Sequence, residues 1–148
     1  MTPSPAERVS WQHAAAMSEA NPPTNDARAA AIQAALAELR AEYAEGLPAL
    51  IRELSAAVDA ACLSTGGPDI RHLQTLAHRM HGAAGSYGFK GVSAAAAKLE
   101  VLLASRDDDR AAFDEVLREA VRAAFHETRD TAKRELAEHA AAFGGGER

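Results

Sequence analysis

The sequence predicts an all-α protein, an antiparallel four-helix bundle with an additional N-terminal helix covering one end and a long C-terminal helix. Three observations carry that prediction. Apolar residues recur at three-and-four spacing through successive segments, and no segment alternates with the period of two that a strand requires. The chain is 47% hydrophobic but only 5% aromatic, a balance set by alanine, the strongest helix former, rather than by the residues that favour sheets. The breaks between periodic segments are short, so neighbouring helices are expected to run antiparallel.

A length of 148 residues suits one domain with a respectable core and is short for two ordinary ones. The net charge of −5 argues against a nucleic-acid binder, which normally carries a basic excess. The single cysteine, Cys62, excludes a disulfide within the chain and fits a reducing compartment. No apolar run approaches the roughly 18 residues of a membrane span, and the N-terminus has neither a basic start nor an apolar signal core. The expectation is a cytoplasmic protein with no membrane or nucleic-acid partner.

Residues 1–25 hold Pro3, Pro5, Pro22 and Pro23 and read as a flexible tail, with a short helical turn around the only tryptophan, Trp11. Asn25 or Asp26 suits a helix cap, after which Ile32, Leu36, Leu39 and Tyr43 form one apolar stripe. Gly46 should stop that helix and Pro48 open the next, with Leu47, Leu50, Ile51, Leu54, Val58 and Ala61 inward. Cys62 reads as a small buried residue. Residues 64–68 turn the chain into a third helix, from about Asp69 to Tyr87, with Leu73, Leu76, Ala77, Met80, Ala84 and Tyr87 on its inner face. A tight connection over residues 89–92 leads to a fourth helix capped by Ser93, whose apolar set is Val92, Ala96, Leu99, Leu102 and Leu103. Residues 106–109 break the pattern, and their three aspartates suit the positive end of the helix that follows better than a metal site. The last helix sets Phe113, Val116, Leu117, Ala120, Val121, Ala124 and Phe125 inward, then thins to Ala132, Leu136, Ala140 and Phe143. Continuous to Ala142, it would be on the order of 50 Å long. The bundle is therefore placed at 26–126, followed by a C-terminal extension and glycine-rich end at 127–148. That extension would protrude, fold back or pair with another subunit, so the chain is expected to be a monomer unless the last helix dimerises.

The third helix carries an anomaly. In His78-Arg79-Met80-His81-Gly82-Ala83-Ala84-Gly85-Ser86-Tyr87-Gly88, glycines stand at +4, +7 and +10 from a histidine. At about 100° per residue, His78 falls about 140° from Leu73, with Gly82 and Gly85 beside it on the outward face and His81 at the border with the core. Each interior glycine costs a helix about 1 kcal/mol relative to alanine, and alanine is abundant in this chain. The physical reading is clearance, a bare backbone beside an exposed imidazole that leaves room for a bulky group or an approaching protein. Gly88 suits the left-handed residue that ends the helix.

The string AHRMHGAAGSYG resembles the signature of histidine phosphotransfer (HPt) domains, which has a phosphorylatable histidine, an apolar residue at +2, usually lysine at +3, glycine at +4, and small residues beyond. The helical pattern follows the family over about residues 26–125. The resemblance implies that His78 is the phosphoacceptor. It implies also that His81 takes the supporting place of the family's lysine and that Glu100 stands where many relatives present a glutamine or glutamate near the histidine. Gly82, Gly85, Ser86, Lys90, Arg79 and Arg71 are the candidates for docking. The implied partners are a response-regulator receiver domain and the receiver of a hybrid histidine kinase, with Mg²⁺ on the receiver and no cofactor or metal bound by this chain.

An exposed imidazole, neutral at most cytoplasmic pH values, has the free lone pair that attack on phosphorus requires. Phosphoryl transfer demands mainly positioning and charge neutralisation, and the partner can supply both. The expected function is reversible relay of a phosphoryl group between His78 and a receiver aspartate, by a carrier with no ATP-binding domain and no turnover of its own. Two alternatives remain. One is a helical adaptor that docks a receiver without transfer, and the other is a metal site built from His78, His81 and Glu100. His72, His13, His126 and His139 lie in no visible constellation.

Overall fold

The computed structural model describes residues 22–63, 68–104 and 113–144. These form α1 (Asn25–Leu63), α2 (Pro68–Ser86), α3 (Lys90–Ala104) and α4 (Glu115–Gly144), with no strand among the described residues. Residues 1–21 of the expected N-terminal tail, Trp11 among them, residues 64–67 of the expected turn and the acidic break at 106–109 lie outside them.

The chain divides into two compact units, Met1–Ala35 and Leu36–Arg148. In the first, every described residue is exposed, Ile32 included. The helix cap is Thr24 rather than Asn25 or Asp26. Its hydroxyl accepts from the Ala27 amide at 3.1 Å and its carbonyl accepts from the Arg28 amide at 2.9 Å, which satisfies donors the helix itself leaves open.

The second unit is an up-and-down bundle. Gln74 meets Leu103, His78 meets Glu100, and Gly85 lies against Ser93, so position rises along α2 as it falls along α3. Lys98 with Glu127 and Val92 with Glu135 show the same antiparallel sense for α3 and α4. Tyr43 of α1 stacks on Tyr87, just past the end of α2, with ring centroids 5.0 Å apart. One continuous core joins the four helices, with Leu47, Leu54, Leu73, Leu99, Leu103 and Val121 wholly buried.

Three expectations are corrected. The helix expected to stop at Gly46 is not separate from the next, because α1 runs unbroken for 39 residues through Gly46 and Pro48. Gly46 does not adopt the left-handed conformation of a helix end; among the described residues only Gly88 has positive φ, at 85°. Pro48 removes one amide donor, but burial of Ala44, Leu47 and Leu54 on both sides of it holds the helix together. A side chain at Gly46 would meet nothing within 4 Å, so Gly46→Ala is expected to stabilise the protein by about 0.5–1 kcal/mol, read as a rise in Tm.

Second, Leu36 and Leu39 are exposed, and only Tyr43 of the expected stripe packs against the core. Val116 is likewise exposed. Third, α3 begins at Lys90, and Ser93 lies inside it rather than capping it. Phe89, buried under Tyr43, Arg40 and His139, fixes the entry to α3, and its carbonyl accepts from the Ser93 amide at 3.0 Å. The cap of α4 is Asp114, whose carboxylate accepts from the Leu117 amide at 2.9 Å.

Nothing in the packing changes at residue 126. Thr128, Thr131 and Ala132 are buried, Leu136 packs on the core, and His139 lies against Phe89. The polar threonine at 128 is accommodated because its hydroxyl donates to the Ala124 carbonyl one turn back, at 2.8 Å. The stretch read as an extension is therefore part of the bundle, at least to His139.

Candidate functional site

The inward residues of α2 decide what faces out. Leu73, Leu76, Ala77, Met80 and Ala84 are buried, so the helical period turns His78 away from the core, and its side chain is 75% exposed. On α3, burial of Ala96, Leu99 and Leu103 leaves Glu100 at the edge that meets α2. Gln74 Nε2 donates to the Leu103 carbonyl at 2.9 Å, and Ser93 Oγ donates to the His81 carbonyl at 2.8 Å. These two bonds tie the helices together on either side of the histidine.

Between them, one carboxylate serves two rings. Glu100 Oε1 lies 2.7 Å from His78 Nδ1, and Oε2 lies 2.9 Å from His81 Nδ1. The hydrogen bonds from His78 and then His81 outweigh desolvation and hold the Glu100 carboxyl below its ordinary range. Glu100 is therefore ionised near neutral pH and can only accept. Both imidazoles consequently donate from Nδ1, and each neutral ring keeps an unprotonated Nε2. Since the folded-state value is lowered, the contribution of Glu100 is complete above the ordinary carboxylate range and is lost as pH falls through the lowered value. An acid titration followed by ring ¹⁵N resonances should show the bonds to His78 and His81 released together.

A neutral His81 commits its only N–H to Glu100, whereas a protonated ring keeps a second one on Nε2 for a phosphoryl oxygen. Its side chain is 45% exposed, less than that of its neighbour.

The glycines divide. A side chain at Gly82 would meet nothing within 4 Å, which leaves open space one turn beyond His78. At Gly85 an added carbon would stand 3.0 Å from Ser93 Oγ, so that glycine lets α3 approach. A cleft of about 330 Å³ beside His78 is lined by Gln74, Thr75, Glu100 and Ala104. Arg71 and Lys90 are exposed, and the Ser86 hydroxyl turns back to donate to the Gly82 carbonyl at 3.0 Å. Arg79 is not brought to the site; with Met80, Tyr43 and Glu53 it lines a different cleft, between α1 and α2. His72 and His126 are exposed, and His13 lies outside the described residues. Among the described residues no group of three or more His, Cys, Asp or Glu side chains is arranged to hold a metal ion. Cys62 is buried, and burial pushes its thiol up, away from the reactive thiolate.

Sequence reasoning missed Glu135. Its Oε1 accepts from the Val92 amide at 2.7 Å, capping the first turn of α3 from α4. Gly91 makes this approach feasible, because a side chain there would collide with Glu135 Oε1 and Thr131 Cγ2. Gly91 was the available signal, a glycine in a first helical turn with no turn to make. Nothing local marks Glu135.

The Hpt domain family model matches residues 38–134. No curated protein and no solved structure gives a significant match.

Proposed function

The chain belongs to the Hpt domain family, whose work is histidine phosphotransfer in phosphorelays, and on that premise we propose that His78 carries the phosphoryl group, exchanging it reversibly with the aspartate of a response-regulator receiver domain. The observation that carries this reading is the 2.7 Å bond between His78 Nδ1 and Glu100 on an otherwise open histidine. With an ionised Glu100 as the acceptor, it favours the tautomer whose lone pair is on the outer nitrogen, Nε2.

In the forward step that lone pair forms a bond to phosphorus as the phosphorus–oxygen bond to the receiver's aspartate breaks. The electron pair of that bond leaves with the aspartate as a carboxylate. The ring emerges as a phosphoimidazolium with its Nδ1 proton still donated to Glu100, whose negative charge offsets the new positive one. No base is needed, since Nε2 has no proton to lose. The reverse step returns the group by the same path. Charge on the phosphoryl oxygens is neutralised from the partner's side, including its Mg²⁺. Gly82 gives the receiver room to approach, and Gly85, Ser86, Arg71 and Lys90 furnish the docking rim. The receiver is that of a response regulator or of a hybrid histidine kinase, and the setting is cytoplasmic.

The test is incubation with receiver domains phosphorylated on aspartate, followed by mapping of acid-labile phosphate. Phosphate on His78 is expected. Stable binding of a receiver with no transfer would replace the carrier with a docking adaptor. Glu100→Gln should keep the fold and lower the transfer rate, since an amide still bonds to Nδ1 but cannot offset the charge of the phosphorylated ring.

A further inference from the structure

The shared carboxylate has a second ring attached to it. We propose that His81 is a second phosphoryl acceptor, phosphorylated on Nε2, so that the site holds one phosphate distributed between two histidines. This rests on the carrier reading above and extends it to a residue three positions along the same helix.

A carboxylate with both oxygens engaged at 2.7 and 2.9 Å treats the two imidazoles alike, because each must bring a proton on Nδ1 to make its bond. Each ring therefore presents the same nucleophile, an unprotonated Nε2, and the same counter-charge waits behind it. The features that prepare His78 for attack on phosphorus are thus duplicated at His81. Access is not blocked, since 45% of the His81 side chain is exposed. The helix also carries glycine four residues beyond each histidine, Gly82 after His78 and Gly85 after His81. A side chain at that offset would lie over the preceding turn and its imidazole. At His81 the space is partly taken by Ser93, which accounts for a slower reaction there than at His78.

The step balances as before. The His81 Nε2 lone pair forms the bond to phosphorus, the bond to the aspartyl oxygen breaks, and the Nδ1 proton remains with His81 and donated to Glu100. Double occupancy is disfavoured, because one carboxylate cannot offset two phosphoimidazolium rings and two phosphoryl dianions would stand side by side. One phosphate per chain is the expected ceiling.

The experiment uses the full chain with a receiver domain that charges the wild type, itself phosphorylated with acetyl phosphate and Mg²⁺. Wild type, His78→Ala, His81→Ala and the double variant are compared by phosphosite mapping under non-acidic conditions, with exposed His72 and His126 as internal controls. The proposal expects phosphate on His81 in the His78→Ala protein, gained more slowly than in the wild type, and its loss in the double variant. Phosphate on His78 in the wild type together with none on His81 in folded His78→Ala overturns the second acceptor and leaves the carrier standing. No phosphate on any wild-type histidine, with every receiver tried, overturns both. Two phosphates on one wild-type chain would contradict the single-occupancy claim. Ring ¹⁵N shifts give an independent reading: both rings should carry their proton on Nδ1, and Glu100→Ala should abolish that preference in both.

Discussion

Replacing His78 with alanine is expected to slow phosphoryl uptake from a charged receiver by about a hundredfold or more, with little change in Tm. The kinetic expectation follows from geometry. In-line transfer requires the attacking nitrogen to sit within about 3–3.5 Å of phosphorus, and a misplacement of about 1 Å can cost about a hundredfold. His81, the nearest ring with the same tautomer, is displaced by three residues along α2, so it can replace His78 only with a shift of the whole docked receiver. The thermodynamic expectation follows from exposure. At 75% exposed, the His78 side chain buries little, and its bond to Glu100 lies near solvent, where such pairs contribute about 0–1 kcal/mol. Stopped-flow or quenched transfer assays paired with thermal melts would separate the two. A fall in Tm large enough to account for the lost activity would mean that His78 is structural.

The second large effect concerns stability. Phe89→Ala is expected to cost about 3–5 kcal/mol, the usual range for removing a buried phenyl ring, which would lower Tm by on the order of 10–20 °C. Phe89 is 1% exposed, and its ring meets side chains of two helices, α1 and α4. Its ring lies 5.6 Å from that of Tyr43, 5.8 Å from that of His139, and 5.6 Å beneath the Arg40 guanidinium. Arg40 also donates to the carbonyl of Gly88 at 3.4 Å, so it bridges α1 to the turn that Phe89 closes. Burial around this cluster pushes the Tyr43 hydroxyl up to about 12, with Tyr87 adding to the effect. Val101→Ala, at a position 70% exposed, should change stability by no more than about 0.5 kcal/mol. Denaturant titration of the pair would show whether the end of the bundle at Phe89 is the keystone that its contacts describe.

Much of this was legible in the chain. The period of Leu73, Leu76, Ala77, Met80 and Ala84 was enough to bury one face of α2 and turn His78 outward, because a regular helix fixes direction from spacing alone. Resemblance put Glu100 near His78, and the two side chains lie 2.7 Å apart. What the sequence obscured were competitions between local and tertiary effects. Gly46 and Pro48 carry local stop and start signals, yet the burial of Leu47 and Leu54 overrides them. Leu36 and Leu39 continue the period of Tyr43 yet are exposed, and periodicity cannot distinguish a buried stripe from an exposed one. Ser93 has the chemistry of a cap, but Phe89 sets the start of α3 earlier and leaves that hydroxyl to His81. The tautomer of His81 was invisible for a different reason. It depends on which atom faces Glu100, and no pattern of residue types records that.

The bond from the Val92 amide to Glu135 carries one more consequence. A helix start is ordinarily closed by a residue about three positions away, and so it can form before the rest of the molecule. Here donor and acceptor are 43 residues apart, so the Val92 amide gains this partner only when α4 is packed on α3. The two helices therefore form their junction as one cooperative event. Hydrogen exchange at Val92 should report the opening of that long-range junction instead of the fraying of a local helix end. Ser93 follows Val92 directly and holds the His81 carbonyl, so loosening at Glu135 would be felt beside the histidines, far along the chain from where it began.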